Sequence, residues 1–422
     1  HRRPPHRRPP QMGSDREIGV GIIGAGLRGA LVLGGRIAEL RRETGLRLRA
    51  LCDKSPQRMR EVSVYLHLEN AKRGLPRRIR KYTDYRDLVD DPAVDLVLVT
   101  TPTYLHREPC EYALASTKKV YLDKPIAVTL EDSASITNKV VETGNPLMMG
   151  FTRRYERVWR RAYELVREGR IGTLMMMQLR SVIPYTRYYH LWHRRNARSG
   201  GALNDKSSHH FDVFNWFAGS RCVSLSGIGG RSPQFAPEEN PPAGCFSCTR
   251  DCPYDLRKDP DFQEMGIRFI PPSWKNAPNE EDRIDTCVFK PGADITDHAF
   301  VSLSYENGVK ASLFLCIYGP KAPDQETLEL VGTEGKLTLT RGTGSIELWS
   351  EHGKKHEITD TRDQEFSSSH FGADLELVRA LRRFVDGETP VASVHDGHES
   401  LRMVTAAQES IDAGGEVQVL TE

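Results

Sequence analysis

The 422-residue sequence lacks a long apolar run, a dense set of cysteines and a strong net charge. No stretch approaches the roughly 18 apolar residues of a membrane span, so we expect no membrane-embedded helix. Eight cysteines are too sparse for a disulfide scaffold and favour a cytoplasmic location. A formal net charge of +2 argues against a chain-wide nucleic-acid-binding surface. The composition therefore favours a cytoplasmic protein without a chain-wide nucleic-acid-binding surface.

The first ten residues, HRRPPHRRPP, differ from the rest of the chain. Their four arginines outweigh the whole net charge, and four prolines accompany them. No apolar segment follows, so the pattern does not fit a secretory signal. Repeated proline and like charge cannot form a core, and we interpret residues 1–16 as a disordered tail.

The segment 17–150 alternates short apolar runs with stretches of helical length and periodicity. The predicted strands are residues 18–23, 46–52, 94–100, 120–122 and 147–149. Such βα alternation requires right-handed crossovers and predicts a parallel sheet of the Rossmann type.

The segment 151–422 is richer in strands and predicts an α+β domain with a large, mostly antiparallel sheet. Helices are expected at 154–168, 203–217, 371–385 and 398–413, and strands at 174–181, 299–305, 309–317, 327–331, 335–340 and 345–349. The Asn307-Gly308 pair marks a tight hairpin between two of these strands. Residues from about 231 to 290 are rich in Pro, Gly, Asp and Asn and form a cysteine-bearing insertion.

A glycine-rich motif links the first predicted strand to the first helix. Residues 24–29 read Gly-Ala-Gly-Leu-Arg-Gly, a G-x-G-x-x-G pattern. Gly24 makes the tight turn, Gly26 lets the backbone approach a pyrophosphate, and Gly29 permits close helix–strand packing. Leu27 and Arg28 at the helix start belong to the same predicted cofactor site, where free N–H groups attract phosphate.

The end of the second strand indicates which dinucleotide is bound. Asp53 would accept hydrogen bonds from the adenosine ribose and repel a 2′-phosphate, which favours NAD over NADP. Lys54 and Arg58 lie close enough in sequence to weaken that preference, and Arg58 is included in the cofactor site.

Polar residues also follow the next two strands, at the edge where open α/β sheets bind ligands. The third strand is followed by Thr101, Pro102, Thr103 and His106. His106 could equally be a residue at the start of a helix with no chemical role. Lys124, within Asp-Lys-Pro, follows the fourth strand. Beside a positively charged nicotinamide, this lysine would lose its proton more readily.

The helix predicted from about residue 203 carries an unusual polar set. Asp205 and His209 are spaced i,i+4 and share a face, and Lys206 and His210 form a second such pair. A capped helix with its polar face in water would look similar. Neighbouring aromatic residues favour burial instead, and a buried histidine–carboxylate pair suits acid–base catalysis.

The stretch 185–195 mixes aromatic and basic residues, including Tyr188 and Trp192. Rings that stack on sugar faces, combined with hydrogen-bond donors, suit a carbohydrate pocket. An interface or a loop anchor is the alternative.

Three cysteines, Cys245, Cys248 and Cys252, stand close together in the insertion, and Cys287 could complete a four-thiolate set. A loop with little core gains much order from a structural zinc. Free thiols, a disulfide or an iron–sulfur site are the alternatives.

In combination, G-x-G-x-x-G with a strand-end Asp, Asp-Lys-Pro, and Gly-Gly-x-Leu-x-Asp-Lys-x-x-His-His-x-Asp resemble the glucose–fructose oxidoreductase/inositol dehydrogenase (Gfo/Idh/MocA) family over roughly residues 17–420. The resemblance implies a Rossmann domain, a sheet-rich second domain and a homodimer or homotetramer. It also implies catalysis by Lys124, Asp205 and His209. The substrate-side residues that it indicates are Arg154, Tyr155 and His370.

The resemblance implies hydride transfer between a sugar or cyclitol hydroxyl carbon and NAD. In that mechanism His209, or Lys124 in relay with it, takes the hydroxyl proton, Lys124 stabilises the oxygen, and Asp205 orients the imidazole. An alternative is an NAD-dependent glycosidase with no net redox change, for which Lys206 and His210 would add acid–base capacity. A nicotinamide-sensing scaffold is disfavoured because all three catalytic residue types are present.

Overall fold

The computed structural model describes residues 16–75, 78–259, 272–275, 277, 279 and 282–420. Apart from Arg16, the predicted tail of residues 1–16 lies outside the described residues. None of the described helices is long and apolar enough to cross a membrane.

The first sheet has six parallel strands in the order β3-β2-β1-β4-β5-β6. The strands are β1 (Ile18–Ile23), β2 (Leu46–Cys52), β3 (Arg80–Tyr82), β4 (Leu96–Val99), β5 (Lys119–Leu122) and β6 (Leu147–Met149). The order reverses between β1 and β4, and such a switch point opens a crevice at the carboxyl ends of the strands. The predicted parallel Rossmann sheet is confirmed.

Helices connect these strands and cover the sheet. They are Gly34–Glu39, Arg41–Thr44, Pro56–Lys72, Tyr85–Asp90, Arg107–Leu114 and Leu130–Thr143. Before the first of them, residues Leu27–Leu33 form a wider turn that ends with the Gly34 N–H bonded to the Gly29 carbonyl. Such wide turns are frequent at functional sites.

The second sheet has nine strands in the order β14-β13-β12-β11-β7-β10-β9-β8-β15. Its strands are β7 (Leu174–Val182), β8 (Cys222–Gly230), β9 (His298–Tyr305), β10 (Lys310–Cys316), β11 (Glu326–Gly332), β12 (Lys336–Thr340), β13 (Ser345–Ser350), β14 (Lys355–Asp360) and β15 (Gln418–Val419). Strands β7 and β10 are parallel, and the other neighbouring pairs in this sheet are antiparallel. The predicted mostly antiparallel sheet is confirmed.

The helices of the second half are Arg157–Arg167, Asn196–Ser199, Gly201–Ala218, Pro272–Lys275, Ala373–Val385 and Val394–Asp412. Helices Gly201–Ala218 and Val394–Asp412 pack against each other beneath the second sheet. The predicted helix at 154–168 begins later, at Arg157, because Thr152–Tyr155 forms a separate short turn.

Helix Ala373–Val385 packs on the first sheet's side of the molecule. Leu377, Leu381 and Phe384 share a hydrophobic core with Ile37 and Leu46. In the sequence, the strands of the second sheet therefore lie between this helix and the residues of the first half whose core it completes.

Candidate active site

The carboxyl ends of the first sheet open into a cavity of about 920 Å³ that residues of both halves line. The cavity walls include most of the residues that the sequence indicates: Gly24, Gly26, Leu27, Arg28, Asp53, Arg58, Thr101, Pro102, Thr103, His106, Lys124, Tyr188, Trp192, Asp205, Lys206, His209 and His370. Gly29, Arg154, Tyr155, His210 and the four insertion cysteines are not among the lining residues.

The three glycines of the loop have different surroundings. Gly24 has a φ of 97° and its N–H donates to the Cys52 carbonyl at 2.8 Å. A Cβ at Gly26 would meet nothing within 4 Å, whereas one at Gly29 would overlap Thr100 Oγ1. Gly29 therefore serves packing, and the open space over Gly26 fits a dinucleotide pyrophosphate.

Asp53 holds this loop in place. Its Oδ2 accepts the Ala25 N–H at 3.0 Å and its Oδ1 accepts the Ser55 N–H at 2.9 Å. The side chain lies at the end of β2 and lines the cavity, where a ribose hydroxyl would meet it.

Arg28 connects the glycine loop to the second half of the chain. Its Nη1 donates to Asp374 Oδ1 at 2.5 Å and its Nε donates to Asp123 Oδ2 at 3.2 Å. His370 Nδ1 also donates to Asp374, at 2.8 Å. Burial would raise the pKa of Asp374, but Arg28 and His370 hold it well below its usual range. The predicted cofactor residue Arg28 is thus bound on one side by a buried carboxylate.

His106 supports the loop after β4. Its Nε2 lies 2.9 Å from the Thr101 carbonyl oxygen and its Nδ1 lies 3.2 Å from that of Ile126. Burial lowers the pKa of the ring. The two ring nitrogens thus face two backbone carbonyls, and the side chain links two backbone segments of the cavity wall.

Lys124 and Asp205 meet in the cavity. Lys124 Nζ donates to the Asp205 carbonyl at 2.6 Å and lies 3.2 Å from Asp205 Oδ1. The Tyr188 hydroxyl donates to Asp205 Oδ2 at 2.5 Å, and His193 Nε2 lies 3.5 Å from Oδ1. Burial would raise the pKa of Asp205, but Lys124 and His193 hold it well below its usual range. Asp205 is thus a carboxylate that fixes the lysine.

His209 lies on the same helix, and its Nδ1 has no hydrogen-bond partner among the described residues. Its ring meets Phe151 edge-on, with centroids 5.9 Å apart. Burial, Arg153 and Lys124 lower the pKa of His209 well below its ordinary value. The expectation that Asp205 orients this imidazole is wrong, because the hydrogen bonds described for the carboxylate go to other side chains.

A buried ion network lies behind helix Gly201–Ala218. Glu326 accepts two hydrogen bonds from Arg153, at 2.8 and 2.9 Å, and one from Lys206 Nζ at 3.1 Å. Arg341 Nη1 lies 3.6 Å from the same carboxylate and His210 Nε2 lies 3.9 Å from it. His210 is fully buried behind the cavity wall, so the expectation that it contacts substrate does not fit.

Arg153, rather than the predicted Arg154, lines the cavity. Arg154 instead donates to Asp212 at 2.8 and 3.1 Å and to Asp396 at 2.8 Å. Tyr155 is also buried away from the cavity. Thr152–Tyr155 is a 3₁₀ turn, in which successive side chains point about 120° apart. A shift by one residue therefore moves a side chain from the cavity into the packed interior.

An aromatic stack forms one wall near Lys124. The Tyr188 and His193 rings lie 5.0 Å apart and inclined by 28°, and His193 lies 3.9 Å from the Trp192 ring. His193 was not predicted as a site residue, although it belongs to the aromatic and basic stretch that pointed here. Glu326, Arg341, Trp274 and Asp282 carried no local sequence signal.

The cysteine-rich insertion does not support the predicted zinc site. In the part of the chain that the structure describes, no three His, Cys, Asp or Glu side chains form a group that could hold a metal ion. Burial raises the pKa of the Cys245 thiol to about 12 and also raises that of Cys287. Backbone hydrogen bonds hold this loop instead, among them Cys245 N–H to the Asp285 carbonyl at 2.9 Å.

Two family models match the chain. The "Oxidoreductase family, NAD-binding Rossmann fold" matches residues 18–151, and the "Oxidoreductase family, C-terminal alpha/beta domain" matches residues 163–419. These two ranges correspond to the two sheets described above.

Curated relatives agree with this match. The chain is 26% identical over 229 residues to the uncharacterized oxidoreductase YrbE of Bacillus subtilis, with 52% of this chain and 60% of YrbE covered. It is 29% identical over 345 residues to scyllo-inositol 2-dehydrogenase (NAD(+)) of the same organism, with 80% and 81% covered.

Among solved structures, scyllo-inositol dehydrogenase from Lactobacillus casei, with bound NAD(H) and scyllo-inositol, has a similar fold. The TM-score is 0.66 at 19% identity, and the match covers 96% of this chain and 99% of that one. The chain therefore belongs to the Gfo/Idh/MocA oxidoreductase family, with its NAD-binding Rossmann fold followed by the family's C-terminal α/β domain.

Proposed function

We propose that the protein is an NAD-dependent dehydrogenase of a sugar or cyclitol. The observation that carries this proposal is the position of Lys124, which Asp205 holds in the cavity that His209 and the glycine loop also line. Bound NAD would supply the hydride acceptor in this cavity. The inositol dehydrogenases among the relatives support a polyhydroxylated ring as substrate.

The chain's own residues would bind and orient the dinucleotide. The open space over Gly26 would hold the pyrophosphate, and the N–H groups of the following turn would donate hydrogen bonds to its oxygens. Asp53 would accept hydrogen bonds from the adenosine ribose, which favours NAD over NADP. Thr101, Pro102 and Thr103 would pack towards the nicotinamide.

Lys124 and His209 divide the proton chemistry. The Lys124 ammonium, fixed by the Asp205 carboxylate, would donate a hydrogen bond to the substrate oxygen and stabilise negative charge there. His209 is neutral, since burial and nearby cations lower its pKa, and a ring nitrogen can accept the hydroxyl proton. The aromatic stack of Tyr188, His193 and Trp192 would contact the apolar face of the ring.

Replacing Lys124 tests this assignment. Lys124→Ala should lower kcat with a sugar or cyclitol by about 10²–10⁴-fold, because one positioned proton donor is lost. NADH binding, followed by its fluorescence, should change little. Lys336→Ala, on the solvent-facing part of β12, is the matched control. Unchanged turnover in Lys124→Ala would refute the proposed role.

We also propose a homodimer or homotetramer that uses the outer face of the second sheet. Met176, Ile228 and Phe300 are more than half exposed on three of its strands, although each is apolar. Light scattering measures the oligomeric state in solution, and a monomer would contradict the proposal.

We also propose that the chain divides into two domains, residues 17–150 and 151–422. We propose a cytoplasmic location as well, which the eight free cysteines support.

A further inference from the structure

The insertion of the second half reaches back to the far end of the nucleotide cavity. Ser273 Oγ donates to Glu61 Oε2 on helix Pro56–Lys72 at 2.5 Å. Trp274 and Asp282 then line the cavity beside Asp53 and Arg58, which follow β2. Because β2 ends where a dinucleotide places its adenosine, these residues stand at the adenosine end of the cavity.

Trp274 offers an unused hydrogen-bond donor there. The side chain is only 6% exposed, and its Nε1 has no acceptor within the described part of the chain. Its ring centroid lies 6.0 Å from the Arg58 guanidinium carbon. Buried indole N–H groups normally find a partner, so a ligand acceptor in the cavity is the natural one.

Asp282 changes the charge of the same corner. Its Oδ1 lies 3.3 Å from Arg58 Nη2 and 3.5 Å from Lys54 Nζ, while Asp53 lies 3.6 Å from Arg58. Two carboxylates therefore balance two cations. By sequence alone, Lys54 and Arg58 weaken the preference for NAD, but Asp282 pairs with both of them.

We propose that the insertion completes the adenosine subsite, with Trp274 donating a hydrogen bond to the adenosine and Asp282 acting with Asp53 to reject a 2′-phosphate. This inference rests on the proposed function, because it assumes that the cavity binds a nicotinamide dinucleotide. Cofactor selectivity would then depend in part on Asp282, which is far from the glycine motif in sequence.

The test measures binding by calorimetry, with NADH, NADPH, ADP-ribose and nicotinamide mononucleotide as probes. Trp274→Phe removes the N–H and keeps most of the apolar ring. It should raise the Kd of NADH and of ADP-ribose about fivefold, the usual effect of one hydrogen bond, and leave that of nicotinamide mononucleotide unchanged. Trp349→Phe, on β13, is the matched control.

Asp282→Asn tests the selectivity. Removal of one negative charge leaves Arg58 and Lys54 opposite Asp53 alone, so the ratio of the NADPH Kd to the NADH Kd should fall about tenfold. Asp360→Asn, an exposed carboxylate on β14, should leave the ratio unchanged. Thermal melts of the unliganded variants confirm that each is folded.

The possible results distinguish a failure of the proposed function from a failure of the roles proposed for Trp274 and Asp282. If the wild-type protein binds neither NADH nor ADP-ribose, the proposed function fails and this inference fails with it. If the wild type binds both and Trp274→Phe and Asp282→Asn bind all four probes as the wild type does, the inference is overturned and the proposed function stands.

Discussion

Replacing Gly26 by alanine should weaken cofactor binding, whereas replacing Gly29 by alanine should destabilise the fold. Gly26 has φ −91°, which alanine adopts readily, and a Cβ there would meet nothing within 4 Å. A Cβ on Gly29 would overlap Thr100 Oγ1 and lie 2.6 Å from the Gly24 carbonyl oxygen. Gly26→Ala therefore adds bulk only where a ligand would lie, and Gly29→Ala adds it inside the packed turn.

The magnitudes follow from these distances. The Gly24 oxygen and the Thr100 side chain belong to the sheet edge, and overpacking of this kind costs about 1–3 kcal/mol. For domains of this size, that lowers Tm by several degrees, at roughly 3 °C per kcal/mol. Gly26→Ala should leave the stability within about 0.5 kcal/mol of the wild type.

Two measurements on the same pair of variants decide the matter. Thermal melts without ligand should show a lower Tm for Gly29→Ala alone, and NADH titrations should show at least a roughly tenfold higher Kd for Gly26→Ala. Wild-type NADH affinity in Gly26→Ala would refute the placement of the pyrophosphate. Wild-type stability in Gly29→Ala would refute the packing role of the third glycine.

Two other predictions concern the buried charges and the buried histidines. Glu326→Gln leaves the cations around it uncompensated and should destabilise the protein by about 3–5 kcal/mol in denaturant melts, whereas the solvent-facing Glu329→Gln should change it by less than about 1 kcal/mol. Burial lowers the pKa of His210 well below 6.5, so the unfolded chain binds this proton more tightly. Stability should therefore fall as the pH drops below 6.5, and His210→Asn should flatten the dependence of Tm on pH between about 5 and 6.5. An equal slope in the wild type and His210→Asn would contradict this.

Local sequence patterns were sufficient to predict most of the fold. The glycine loop and the apolar runs of β1, β2 and β6 are continuous in sequence, and their periodicity is visible without tertiary information. Strand β3, with the sequence Arg-Lys-Tyr, carries no apolar pattern and forms because it pairs with the end of β2. Similarly, the two residues of β15 are a strand only because β8 lies beside them.

The site residues divide in the same way, into those that local motifs indicate and those that depend on tertiary contacts. Lys124, Asp205 and His209 lie in short motifs, and the family resemblance that these motifs carry brought the three residues together in the prediction. Arg153 and Arg154 could not be told apart, because the direction of each side chain depends on where the short turn begins. In the sequence, Glu326 cannot be distinguished from any other charged residue of a strand. Its place in the ion network arises only when β11 pairs with β7 and faces helix Gly201–Ala218.

Trp274 and Asp282 could not be predicted for a related reason. Each lies in irregular chain, where neither strand nor helix periodicity indicates the direction of a side chain. Their approach to Arg58 depends on the path of the whole insertion, which composition describes only as rich in Pro, Gly, Asp and Asn.

Helix Ala373–Val385 has a consequence for biosynthesis. Its apolar residues complete a core that otherwise consists of the first sheet and its helices, and Arg382 Nη1 donates to the Thr44 carbonyl at 2.9 Å. Nascent domains generally fold as their sequence leaves the ribosome, from the N-terminus onwards. Here the nucleotide-binding half emerges first but leaves an apolar surface uncovered until nearly the whole polypeptide has been made. Truncation before this helix would therefore remove part of the first half's core as well as the end of the second.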